Sequence, residues 1–275
     1  VKISIKAASG STLTNATKLD LVTQLKKFNV ASVTPEIVDP ETTKILLTSN
    51  VKYDTNATIK TTDTIKSDIL TTVTNFSTVN LQKFDNVFRY SKLSKAIDDT
   101  DTSILSNITT LKIRKDFTPT LASSTKYNVY FRNALYNPHS GHNSAAGGIL
   151  ESSGFKVSGD SSTVFYLDDD GAGNIRRYSF SGSTRVYANE TQGTIDYTNG
   201  SITINSLSVL SVENIRGAAS SKIELTVTPS SNDVVPVRDQ IIEIDTANSF
   251  ITVTADTFVG GSAEAGVGYT TTSSY

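Results

Sequence analysis

Alternation with a period of two opens the chain. Val1, Ile3 and Ile5 set against Lys2 and Ser4 predict a short strand. A polar stretch, 9–17, leads to a helix over about 18–28, with Leu21, Leu25 and Phe28 on one face and Asn29 as a stop signal. The run from Val30 to Ile37 alternates poorly and holds Pro35, which predicts an edge strand, and Asp39-Pro40 turns the chain. Residues 44–53 read as a strong strand, with Ile45, Leu47 and Val51 near one side. A helix over about 62–76 carries the stripe Ile65, Ile69, Val73 and Phe76, with Asp63 near its positive end. Phe84, Val87, Phe88 and Tyr90 crowd a short segment, Leu93 and Ile97 predict a brief helix, and 108–115 is a further strand.

Strand, helix, strand, strand, helix, strand, with an extra helical insert before the end, is the split βαβ or ferredoxin-like order. Another small α/β sandwich is the alternative. Past Pro119 the helix signals stop. Residues 127–136, 155–157, 164–167, 175–180, 185–187, 208–212, 222–229, 240–244 and 249–255 read as strands, and so many at close spacing predict an all-β domain. Residues 194–197 and 201–204 flank Asn199-Gly200, a hairpin signal whose expected register pairs Tyr197 with Ile202 and Ile195 with Ile204. The fold class expected is therefore α+β: a ferredoxin-like domain over 1–119, a mostly antiparallel β domain over 120–258, and a flexible Ser/Thr/Gly-rich tail over 259–275.

Composition narrows the function. No cysteine is present, which removes disulfides, zinc knuckles and thiol nucleophiles. The first residue is not methionine, so the chain is expected to be processed or a piece of something longer. The net charge of -2 is no footprint for nucleic acid, and no apolar run is long enough for a membrane helix. The strongest bias is toward hydroxyls, with 35 serines and 39 threonines. They suit strand faces and turns.

Candidate chemistry is sparse. Asp168, Asp169, Asp170, Gly171 and Asn174 offer calcium-like oxygens, but the twelfth position is Ser179 and strands flank the loop. A hairpin turn is the plainer reading. His139 and His142 lie in a loop and lack a third ligand fixed by sequence, so a surface loop is expected there rather than a metal site. Asp98, Asp99 and Asp101 form the densest acidic cluster of the first half, where pairing with Arg89, Lys92, Lys95 or Arg114 is expected rather than catalysis. Phosphate-cradling loops and the nucleophile-elbow pattern do not occur. Tyr127, Tyr130, Phe131 and Tyr136 lack the basic groove that single-strand binding needs. No catalytic residue, metal or cofactor is expected.

The phrases Ile37–Glu41, Val51–Asp54, Asn80–Asp85, Phe88–Leu93, Ile97–Ile104 and Ser106–Thr109, with the loop Asn137–Asn143 and Leu150–Phe155, resemble the ring-forming baseplate wedge proteins of T4-like tailed phages, within the wider baseplate J-like family. The resemblance covers roughly the first 155 residues. It implies that the chain is the C-terminal portion of a longer protein. It implies a structural role in the virion tail baseplate, assembled in the host cytoplasm. Two copies would join another wedge subunit, and contacts between copies would link wedges into a ring around the hub. The implied partners are a second copy, other wedge subunits and sheath-initiating or hub-proximal tail proteins. The motif residues expected at interfaces are Phe84, Asp85, Phe88, Arg89, Tyr90, Leu93, Asp98, Asp99 and Asp101, with His139 and His142 in the loop. Phe84, Phe88, Tyr90 and Leu93 are expected to anchor helices to the sheet, and Asp85 and Arg89, four apart, to sit side by side on a helix. A carbohydrate-binding or adhesin module is the competing class, and would show exposed aromatics lining a groove in the β half.

Overall fold

The computed structural model describes residues 1–7, 13–28, 33–142, 147–237 and 240–256. Among the described residues three α-helices accompany a large majority of strand, so the class is α+β with an extensive antiparallel β part. The expected tail lies outside the described residues. No helix among those described is long and apolar enough to cross a membrane.

The chain opens as a βαβ unit. Strand β1 (Lys2–Ser4) and β2 (Glu36–Val38) pair in parallel, joined through helix α1 (Asn15–Lys26). Thr14 caps α1 by accepting the Thr17 N–H at 3.2 Å. The helix ends before Phe28, which therefore leaves the expected apolar face and stands 87% exposed.

Strand β3 (Glu41–Tyr53) is the spine of the second sheet. Its alternation is strict: Ile45, Leu47, Ser49, Val51 and Tyr53 are buried on one face. The buried hydroxyl of Ser49 is satisfied by Thr109 at 2.7 Å. Helix α2 (Thr62–Asn80) buries Ile65, Ile69 and Val73 at intervals of four, and the same face continues to Ser77, whose hydroxyl accepts the Ile244 N–H at 2.9 Å. Helix α3 (Tyr90–Asp98) buries Leu93 and Ile97, and β4 (Ile104–Phe117) returns antiparallel to β3.

The rest of this sheet differs from the ferredoxin-like expectation. Strand β13 (Ile223–Val227) pairs with β4 and with the two-residue β6 (Glu151–Ser152), while β14 (Gln240–Ile244) and β15 (Phe250–Ala255) run parallel to β3. At 13 residues, β3 spans roughly 40 Å, enough to carry β14 and β15 end to end along one edge. Ser249 closes the gap between them: its hydroxyl accepts the Leu47 N–H at 3.0 Å and donates to Asp245 O at 2.7 Å. The sheet thus draws strands from both sides of the boundary expected near residue 119.

A buried cation clamps the junction. Arg114 of β4, 3% exposed, pairs through Nε with Asp116 at 2.9 Å. Its Nη1 lies 3.2 Å from Glu224 and 3.0 Å from Asp245. Lys44 and Arg216 complete the charge balance against Asp116 and Glu224.

The third sheet has the order β12-β7-β8-β9-β10-β11-β5 and is antiparallel throughout. Its strands are β5 (Thr125–Tyr130), β7 (Phe155–Val157), β8 (Asp160–Asp169), β9 (Asn174–Ser181), β10 (Thr184–Asp196), β11 (Ser201–Leu207) and β12 (Val209–Val212). Strand β5 stops short of the expected 136 because Arg132 takes φ +56°. The hairpin near Asn199-Gly200 is also corrected. Ile195 pairs with Ile202 and Asp196 with Ser201, two residues away from the expected register. A two-residue loop of the I′ type needs positive φ at both central positions, and only Gly200 has it. The Asp196 carboxylate instead accepts from Thr198 N and Asn199 N, which builds a four-residue loop. The two large sheets share one continuous apolar core.

Candidate interface

The segment 81–99 is fastened from below. Phe88 is fully buried, exchanges backbone hydrogen bonds with Val234, and meets Phe76 edge-on at 6.5 Å. The Tyr90 hydroxyl donates to Thr109 O at 2.8 Å. Phe88 and Leu93 are wholly inside, so they hold the segment and present nothing to a neighbour, while Phe84 is half-buried. Asp85 and Arg89 are not brought together as a helical pair. Asp85 takes φ +64° and the helix starts only at Tyr90. Arg89 pairs with Asp233 at 2.7 Å, and the other Asp233 oxygen accepts the Tyr90 N–H at 2.9 Å. Asp233 thus caps α3 from a loop far along the chain. The Arg89 guanidinium, then the Tyr90 N–H, hold its carboxyl below the usual carboxylate range.

The acidic cluster disperses its charges. Asp98 accepts from Asn107 Nδ2 at 2.6 Å, Asp99 pairs with Lys95 at 2.8 Å one helical turn back, and Asp101 pairs with Lys60 at 2.7 Å. Lys95 was among the expected partners; Lys60, at the approach to α2, was not. Lys60, then the Ser103 hydroxyl and N–H, lower Asp101 to about 2. A depressed carboxylate pKa contributes stability above its unfolded value, near 3.9, and that contribution is lost as pH falls toward about 2. Asp101→Asn is therefore expected to be less stable than wild type at pH 7 and to approach it in strong acid. Thermal melts across pH check this; parallel curves would contradict it.

Beside α3 lies an open groove of about 520 Å³. Phe76, Val87 and Ala96 are its apolar lining, and Arg89, Lys92, Lys95 and Asp99 stand around it.

The expected loop residues lie elsewhere. His142 Nδ1 and His139 Nε2 are 3.2 Å apart, and Tyr136 meets His142 edge-on. The described residues hold no group of His, Asp and Glu side chains that could bind a metal. Asp168–Asp170 end β8 and begin its hairpin into β9, and their oxygens are taken internally. Asp170 accepts from Ala172 N and Asn174 N. Asp169 receives Leu150 N at 2.7 Å, Gly171 N and the Tyr197 hydroxyl at 2.6 Å, so it pins the glycine-rich loop to the hairpin. A Cβ on Gly148 would fall 2.1 Å from that carboxylate. Burial, then the bond to Asp169, raises the Tyr197 phenol. Asp168, 1% exposed, binds Arg176, Arg185 and Tyr187. Sequence reasoning missed this hub because its cations lie on two later strands. A second groove, about 430 Å³ between the sheets, has Tyr166 as its aromatic, with Glu151, Glu213 and Arg216.

Residues 1–38 match the family model described as baseplate structural protein gp6, C-terminal domain I. Residues 44–116 match gp6 C-terminal domain III. The first stretch is the βαβ unit; the second takes in most of β3, both following helices and nearly all of β4. The baseplate wedge protein gp6 of Enterobacteria phage T4 is 27% identical over 129 residues, which is 46% of this chain and 20% of that protein. The chain thus spans about a fifth of the length of that curated relative. Two separate stretches of the chain are thus similar, in the same order, to two C-terminal domains of one baseplate structural protein.

Proposed function

We propose that this chain is a non-enzymatic structural subunit of the baseplate wedge, within the wider baseplate J-like family, and that its copies associate to link neighbouring wedges into a ring around the hub. The observation that carries this reading is the ordered pair of matches to C-terminal domains of a baseplate structural protein. The partners proposed are a second copy, other wedge subunits and hub-proximal or sheath-initiating tail proteins. Exposed polar residues of the 81–101 segment are the proposed contact points: Asp85 and Asp99 stand free of the core, and the Lys95–Asp99 pair is open to solvent. Such a pair sets register and specificity more than affinity.

Sedimentation velocity of the whole chain over a concentration series, alone and with purified wedge proteins, tests this. A discrete self-associated species or a stoichiometric complex is expected. Asp99→Ala is expected to weaken that association while shifting the isolated chain's stability by less than about 1 kcal/mol, the usual worth of an exposed pair. A clean monomer that ignores the wedge proteins would refute the reading.

A further inference from the structure

We propose that the groove between the end of α2 and α3 receives an acidic chain segment bearing one apolar side chain, contributed by a partner protein of the baseplate. This deepens the structural reading above and rests on it. The groove's volume, about 520 Å³, lies in the range of formed binding clefts. Its base is apolar and partly covered: Phe76 and Val87 are half-buried, and Ala96 leaves room above the α3 backbone. A leucine-sized side chain entering there gains the burial that these three leave unfinished.

The rim supplies the charge. Arg89, Lys92 and Lys95 border the groove against one acid, Asp99. Arg89 is engaged by Asp233 and Lys95 by Asp99. The Lys92 ammonium is exposed and has no carboxylate partner among the described residues. With Arg89 and Lys95 each matched by an acid, Lys92 carries the uncompensated positive charge of the rim. Asn80 and Asn86 line the groove and also order it, since the Asn86 amide donates to Asn80 O at 2.8 Å and ties the end of α2 to the turn below α3. An apolar base with a cationic rim selects an amphipathic acidic segment, and a basic segment is repelled.

The test uses the whole chain and a short fluorescein-labelled peptide of glutamates around a central leucine, with a counterpart in which lysine replaces each glutamate. Fluorescence anisotropy is expected to show saturable, salt-sensitive binding of the acidic peptide alone. Lys92→Glu is expected to weaken it by about tenfold, with Lys92→Gln in between and the distant Lys126→Glu without effect. Lys92 is a surface residue, so these variants fold. Equal binding of both peptides, or unchanged binding in Lys92→Glu, overturns the proposal. If the chain still joins wedge proteins in sedimentation while the acidic peptide fails to bind, the proposal falls and the structural reading stands. If the peptide binds as expected but the chain ignores wedge proteins, the structural reading falls and the assignment of the groove's partner to the baseplate falls with it.

Discussion

Arg114→Ala is expected to destabilise the protein by about 3–5 kcal/mol, the range for breaking a buried ion pair from one side. Three carboxylates, Asp116, Glu224 and Asp245, surround a guanidinium that is 3% exposed. Removing it leaves them facing one another, with only Lys44 and Arg216 at the margin. The cost is not that of one lost contact, because the acids come from three separate parts of the chain. Asp116 belongs to β4, Glu224 to β13, and Asp245 lies between β14 and β15. The damage should therefore centre on the docking of the last strands against β3. Urea denaturation gives the size, and hydrogen exchange at Ile241–Ile244 gives the place. A loss below about 1 kcal/mol, the scale of an ordinary surface change, would mean the cluster is not the clamp described.

Asp168→Ala is expected to cost a similar amount, about 3–5 kcal/mol. Arg176 reaches Asp168 with two nitrogens, Nε at 3.0 Å and Nη2 at 3.2 Å. Arg185 Nη1 stands at 2.6 Å and the Tyr187 hydroxyl at 2.9 Å. Without the carboxylate, two guanidiniums face each other across the hairpin. They would keep their positions over the rings of Tyr187 and Tyr178, at 4.2 and 4.6 Å, with no anion between them. Asp168→Asn separates charge from shape and should lie between alanine and wild type. A second readout is independent of stability. Burial, then the bond to Asp168, raises the Tyr187 phenol, while burial foremost pushes Tyr178 up to about 12. Ultraviolet titration of Asp168→Asn should show Tyr187 moving down toward its ordinary value, and Tyr178 moving the same way by less. An unchanged titration would deny the contact.

Local periodicity made much of the fold legible. The alternation in 44–53 and the four-residue spacing of Ile65, Ile69 and Val73 are visible in the sequence because each face meets a single core. What stayed hidden is non-local. Pairing of 41–53 with 240–255 has no signal in either stretch alone, and it turned a ferredoxin-like expectation into a sheet completed by the last strands. The 195–204 register was hidden because one side chain, Asp196, reshaped the turn. The Asp85–Arg89 spacing misled for a similar reason: an aspartate tolerates the left-handed backbone at 85 and no helix forms there. In the candidate site, Phe88 and Leu93 were legible as anchors of a helix. The pairings of Arg89 with Asp233 and of Asp101 with Lys60 were not, because surface charges choose partners by fold and not by sequence distance. The Asp168–Asp170 turn was legible from its glycine and flanking strands, but its buried hub was not.

A cryo-electron microscopy reconstruction of the assembled baseplate, at a resolution that traces these strands, tests the central claim most directly. The expected result is a closed ring in which each copy of this chain touches another copy, with exposed parts of 81–101 at or beside a contact. Copies isolated from one another, each held only within its own wedge, would contradict the ring-linking role.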